Sequence, residues 1–329
     1  MRKYLLIAVK AVVSVGLLYF ALARTDFSAV GARLDRLDIA WSLLAVLGLG
    51  IQLLLISIRW RKIAESCGAK LPLPRAFRLN LIATFFNQVL PSTVGGDGVR
   101  IWLFARDGAG WFKAAYSVLL DRFVGVFALA LLVVVCLPWA FQLIENPIGR
   151  TALVLIGCGS VGAGIAFVTL GSRNWVWMRN FWPTRHIVQL ATIALGLFRS
   201  TSSLMLLTAV SLATHVLTAA VAWSVARAIT VPFEFLHALL LVPPVVLIAT
   251  VPISIAGWGV RESVLMLAFA YAGLPQSDGL LVSILFGATY FAVGILGGLA
   301  WLLSGRAVPL SAMRPPDQAA PLDGAQDRR

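Results

Sequence analysis

Apolar residues in this chain run in long unbroken blocks. A half-buried strand would alternate, and a helix on a soluble core would show a three-to-four spacing. Some blocks approach or exceed the roughly 20 residues that cross a hydrocarbon core: Tyr4–Ala23, Ile39–Ile58, Phe123–Gln142, Thr151–Leu170, Leu204–Ala226 and Leu280–Leu303. Two further apolar stretches are interrupted, one at "VLPSTVGGDGVR" (Val89–Arg100) and one at "TVPISIAGWGVRE" (Thr250–Glu262). Laying Pro91 on Pro252 places Gly96 on Gly257, Gly98 on Gly259, Val99 on Val260 and Arg100 on Arg261, at a constant offset of 161 residues.

A short apolar helix is predicted on each side of each interruption. These are Arg75–Leu90 and Val99–Ala114 in the first half, and Phe235–Val251 and Val260–Ala272 in the second. No flank is comfortably long enough to span alone, so each pair reads as a re-entrant hairpin. The spans before and after each break recur at comparable offsets, which marks a duplication. An odd number of crossings separates the breaks, so the copies face opposite ways. The expected fold is an all-α polytopic membrane protein, with about six full spans and two re-entrant broken-helix hairpins arranged as an inverted repeat. The halves are about 1–150 and 151–305, and a Pro-rich tail from 306 to 329 is expected to be disordered. Inverted repeats with broken helices near the midplane are a transporter arrangement.

Composition agrees. Hydrophobic residues make up 60% and charged residues 12%, against about 25% charged in soluble domains. The net charge of +13 suits cytoplasmic loops held against anionic lipid, and nucleic acid is not expected as a partner. With both termini cytoplasmic, the termini and the loops at 59–78, 100–113 and 173–199 together hold 19 of the 27 Lys and Arg. Arg24, Arg33, Arg36, Arg150, Arg227 and Arg261 fall outside. Trp41, Trp139, Trp175, Trp182 and Trp301 stand near span ends as interfacial anchors, and Arg59-Trp60 reads the same way. The N-terminus has the basic start and Ala-Leu-Ala (21–23) of a signal peptide, but Lys10 interrupts its run, and a retained first span is expected. Cys67, Cys136 and Cys158 form no CxxC or Cys/His cluster, so neither disulfides nor a metal site are expected.

The residue types at the breaks have a physical purpose. In hydrocarbon every backbone group needs a partner. Pro91 and Pro252 end a helix; Gly95, Gly96, Gly98, Gly257 and Gly259 allow close backbone approach. A helix restarting there presents unpaired N–H groups and the positive end of its dipole. With Arg100 or Arg261 beside it, such a terminus suits an anion such as phosphate. Ser92, Thr93 and Ser254 lie in the same segments and complete the candidate substrate-binding set. The alternative is structural: Asp97 caps its helix and pairs with Arg100, and Glu262 pairs with Arg261. Asn87 and Gln88, one turn before Pro91, either line the cavity or bond freed carbonyls. Asp121 and Arg122 open the span that begins at Phe123, either as site residues or at the interface. His215 lies deep in a span; His186 and His237 are isolated.

The blocks "FFNQVLPSTVGGDGVR" (Phe85–Arg100), "DRF" (Asp121–Phe123) and "PISIAGWGVRE" (Pro252–Glu262) together resemble the flippase-like transmembrane domain of lysylphosphatidylglycerol synthases, over roughly residues 1–305. The resemblance implies lipid translocation between leaflets. It points to Asn87, Pro91, Gly95, Gly96, Asp97 and Arg100 in the first block, and to Gly257, Gly259, Arg261 and Glu262 in the second. Bifunctional members carry a soluble aminoacyl-transferase domain after the membrane region. Only about 25 residues follow the last span here, so lysyl transfer is not inherited and no enzyme activity or cofactor is expected. The expected partner is a membrane lipid, through its headgroup phosphate, in the plasma (inner) membrane. No GxxxxGK[ST] motif is present, so movement is expected to be passive or ion-coupled, with Asp97 or Glu262 able to carry a proton. The alternatives are a membrane-embedded lipid transferase and an accessory subunit of a lipid-synthesis enzyme.

Overall fold

The computed structural model describes residues 35, 37–90, 95–172, 181–251 and 258–303. The predicted first span and the tail from 306 lie outside them, as does Trp175. The described residues form α1 (Ile39–Ser66), α2 (Leu73–Val89), α3 (Gly95–Phe104), α4 (Trp111–Leu143), α5 (Pro147–Leu170), α6 (Trp182–Arg199), α7 (Thr201–Ala228), α8 (Phe235–Ala249), α9 (Val260–Tyr271) and α10 (Gln276–Leu302). No strand occurs among them. α1, α4, α5, α7 and α10 are long and apolar enough to cross a membrane, and each contains or closely matches a predicted span.

The helix boundaries follow local chemistry. Asp38 caps α1 by accepting from the amides of Ala40 and Trp41. Asn146 caps α5, with Pro147 in its first turn. α2 stops at Val89, two residues before Pro91. α9 starts after Gly259, whose φ of 85° falls in the left-handed region that favours glycine. Three expectations need correction. The predicted helix Val99–Ala114 is two elements. α3 begins earlier, at Gly95, and gives way to a π-helical turn over Ala105–Ala109, after which Gly110 at φ 77° separates it from α4. α4 consequently starts at Trp111, so Asp121 and Arg122 lie well inside a span and not at its mouth. The segment 173–199, read as a loop, contains α6. Val188, Ala191, Ala194 and Leu197 bury one side of it, while Arg185 and Arg199 stay exposed.

The duplication extends to the helices. A shift of 161 residues carries α1 onto α7 and α2 onto α8 to within a residue at each end, and α4 onto α10 to within four. α1 and α7 run antiparallel. The Asp38 amide donates to the Ala228 carbonyl at 2.8 Å, Gln52 to Thr218 at 2.7 Å and Arg59 to Ser211 at 3.2 Å, so one helix descends as the other rises. Corresponding helices of opposite direction are what an inverted repeat requires.

Small residues let the helices close. A Cβ on Gly297 of α10 would stand 1.9 Å from the Leu81 carbonyl oxygen of α2, and Gly294 and Gly298 face Phe85 of that helix. α8 takes the corresponding place against α4, where Leu247 packs with Leu129, Ala130 and Val133. The two ends of the bundle differ in charge. Among the described residues, the end holding the open arms of the first hairpin carries Arg61, Lys62, Lys70, Arg75, Arg78, Arg106, Lys113, Arg185 and Arg199 against Glu65 and Asp107. The end holding the open arms of the second carries Asp35, Asp38, Glu145, Glu234 and Asp278 against Arg150 and Arg227.

Candidate functional site

A cavity of about 250 Å³ opens among α1, α2, α4 and α10, beside the first turn of α3. Asn87, Gln88, Asp97, Arg100, Asp121 and Arg122 line it, joined by Gln52, Arg59, Asn80 and Tyr290. The first hairpin brings its charged residues here by close approach of backbone. A Cβ on Gly96 would lie 2.1 Å from the Ala83 carbonyl oxygen, so only glycine lets α3 press against α2 at that point. Gly95 starts α3 against Leu90, whereas Gly98 meets nothing within 4 Å.

Asp121 is the centre of the charged wall and is 2% exposed. Arg59 Nε donates to its Oδ1 at 2.8 Å, and Arg100 donates to its Oδ2 at 3.2–3.3 Å through both terminal nitrogens. Arg100 is fixed from other sides as well. Its Nη1 donates to Asn80 Oδ1 at 2.6 Å, Asn80 in turn donates to Ser57, and the guanidinium lies 4.4 Å over the Trp60 ring. Asp97 lies 3.5 Å from Arg100 and accepts from Arg122 Nε at 2.5 Å. Arg100 is thus a locked structural cation, although its buried Nε has no partner among the described residues.

Arg122 differs. It stands eleven residues inside α4, yet 46% of its side chain is open. Its only hydrogen bond among the described residues is the one to Asp97, and both terminal nitrogens are unengaged. Its location on the cavity wall makes that fork available to an anion.

Two of the backbone donors expected to hold an anion are already taken. The Gly96 amide donates to Asn87 Oδ1 at 2.9 Å, and the Gly259 amide donates to Glu262 Oε2 at 2.7 Å. Asn87 therefore lines the cavity, as one reading had it, while its oxygen accepts an amide of α3 in place of the expected bond to a freed carbonyl. Asp97 and Glu262 likewise make the structural pairs described as alternatives.

Among the described residues, the second hairpin contributes nothing to this wall. Arg261 donates to Glu262 Oε1 at 2.6 Å and to Ser283 Oγ at 3.1 Å, and lies 5.1 Å over the Trp258 ring. Glu262 is 0% exposed. A ladder from Tyr290 to Gln52 to Thr218 crosses α10, α1 and α7, and Tyr290 and Gln52 both line the cavity. Pro91, Ser92, Thr93, Pro252, Ser254 and Gly257 lie outside the described residues.

Sequence reasoning passed over Arg59, Asn80, Gln52 and Tyr290. Arg59-Trp60, read as an interfacial anchor, is instead buried, at 5% and 0% exposure, with Trp60 Nε1 donating to Ser117. One signal was present: a lone Asp121 inside an apolar helix calls for a buried cation. His215 Nε2 donates to the Gly125 carbonyl, and His237 accepts from the Glu234 amide. No cluster of three or more His, Cys, Asp or Glu able to hold a metal occurs among the described residues.

The 161-residue shift places Ala220 opposite Arg59, Leu241 opposite Asn80, Trp258 opposite Asp97, Val282 opposite Asp121 and Ser283 opposite Arg122. The duplicated scaffold therefore carries the charged wall of the cavity in one copy, while the second copy keeps its own buried pair, Arg261 and Glu262.

The profile of the family described as the Lysylphosphatidylglycerol synthase TM region matches residues 7–298. No curated protein matches the chain. The chain belongs to that family, and it is a multi-pass membrane protein linked by its family to lipid metabolism.

Proposed function

We propose that this member of the lysylphosphatidylglycerol synthase transmembrane family moves phospholipid headgroups between leaflets, using the polar cavity as the headgroup site and Arg122 as the anion contact. One observation carries the reading: a guanidinium deep inside a span, half open, on the wall of a polar chamber. An arginine at such depth costs about 2.5–3.5 kcal/mol on insertion scales. Intramembrane charges of this kind mark substrate pathways. The headgroup phosphate takes the Arg122 fork while the acyl chains remain in lipid.

Charge supports an orientation. The basic end of the bundle faces the cytoplasm under the positive-inside rule. The first hairpin then enters from the cytoplasm and the second from outside, in the plasma membrane, with both chain termini cytoplasmic. Movement is passive or ion-coupled, and the protein is a transporter and not an enzyme. A lipid-synthesis enzyme that supplies the lipid is the natural partner. The transferase alternative gains nothing from the geometry, because Asp97 and Glu262 hold separate partners and Glu262 lies off the cavity wall.

The test is reconstitution in vesicles containing a fluorescent phosphatidylglycerol or phosphatidylethanolamine, with a membrane-impermeant quencher reporting exchange. Wild-type protein is expected to speed exchange over empty vesicles, and Arg122→Gln to abolish the gain. Equal rates in protein-containing and empty vesicles for both lipids would remove the proposal.

A further inference from the structure

The charges on the cavity wall do not cancel. Arg59, Arg100 and Arg122 face Asp97 and Asp121, a surplus of one positive charge. Among the described residues, nothing nearby changes that balance. The remaining lining side chains are neutral. Residues 91–94, which join α2 to α3, are Pro, Ser, Thr and Val and add no charge. Arg261 and Glu262 pair with each other off the wall. His215 contacts the Gly125 backbone behind Arg59.

We infer that the cavity selects a singly charged phosphodiester and discriminates against a doubly charged phosphomonoester. The inference rests on the headgroup reading above and adds the charge state that the site accepts. The donors suit it: two open nitrogens on Arg122 form a fork for two phosphate oxygens, on the same wall as Arg100 and Arg59. A monoanion brings the chamber to neutrality, the least costly state for buried charge. A phosphomonoester carries about −1.5 to −2 at pH 7. Its second charge would meet Asp97 and Asp121 with no cation to spare.

The experiment compares fluorescent phosphatidylglycerol with fluorescent phosphatidate in the same vesicles. At pH 8, phosphatidylglycerol is expected to exchange at least about tenfold faster, the factor set by one unmatched charge in a partly dry site. At pH 5, below the second phosphate pKa near 6, phosphatidate becomes a monoanion and its rate is expected to rise to within about threefold of phosphatidylglycerol. Asp97→Asn, which raises the surplus to two, is expected to narrow or reverse the preference at pH 8. Should that variant fail to fold, the wild-type pH comparison decides alone. Equal exchange of the two lipids at pH 8 overturns the charge rule while leaving lipid transport standing. Exchange of neither lipid, with soluble glycerophosphoglycerol bound by the purified protein and inorganic phosphate excluded at pH 8, overturns the lipid reading and keeps the charge rule.

Discussion

Arg59 and Asp121 meet across 62 positions of sequence in a buried ion pair, Nε to Oδ1 at 2.8 Å, with side chains 7% and 3% exposed. Removing one partner of such a pair strands the other. Asp121→Asn is expected to cost about 3–5 kcal/mol, read as a lowered unfolding temperature in detergent. The double variant Arg59→Met/Asp121→Leu should lose less than the sum of its single changes. Strict additivity would show that the pair is not coupled.

Arg122→Gln and Arg261→Gln should separate function from folding. Arg122 is half open, so its loss should change thermal stability by less than about 1 kcal/mol while abolishing lipid exchange. Arg261→Gln leaves Glu262, at 0% exposure, with a lost buried cation. It should cost about 3–5 kcal/mol and reduce the yield of folded protein. Exchange per folded molecule is the deciding measurement: near background for the first variant, near wild type for what survives of the second.

Gly297→Leu should prevent stable packing of α10 on α2. The Leu81 carbonyl, 1.9 Å from the new Cβ, belongs to helix backbone and cannot rotate away. Overpacking of this kind costs about 1–3 kcal/mol or more. Gly159→Ala, where nothing lies within 4 Å, should stay within about 0.5 kcal/mol of wild type. Size-exclusion profiles of the two variants would show the contrast.

The hairpins should open to opposite sides. In a background lacking the native cysteines, Lys70→Cys and Gln276→Cys should react with an impermeant maleimide from opposite faces of oriented vesicles. Both reacting from one face would contradict an inverted repeat.

Thiol chemistry at Cys67, just past the end of α1, should be slow. Burial pushes its thiol up from 9.0 to about 11. Only the thiolate attacks, so at pH 8 the reactive fraction is about 100-fold below that of an ordinary thiol. Labelling, followed by mass spectrometry of the Cys67 peptide, should accelerate about tenfold per pH unit until about pH 11. A plateau near pH 9 would show the site open to water.

Much of the architecture was legible because bilayer physics leaves few choices. An apolar run of about 20 residues must cross, and Pro91 and Pro252 must interrupt a helix. The gaps have local causes. α6 has a sided pattern of Val188, Ala191, Ala194 and Leu197 that a search for continuous apolar blocks passes over. Closing the first described span at Ile58 and opening another at Phe123 left Arg59 and Asp121 outside the membrane by a residue or two. The helices continue through both, which turns two presumed boundary charges into the centre of the site. The Gly/Pro blocks located the first hairpin's share of the cavity. Which arginine keeps free donors depends on who else stands nearby, and one sequence does not show that.

The antiparallel seam between α1 and α7 has an evolutionary corollary. If both halves descend from one shorter gene, two identical chains once met along that seam, and they matched only when one stood upside down. The ancestral polypeptide then had to insert in either direction, with nearly even charge at its two ends. Fusion removed that need, since each half is now held in place by its neighbour. The lopsided ends of the present bundle record a molecule that has given up the choice.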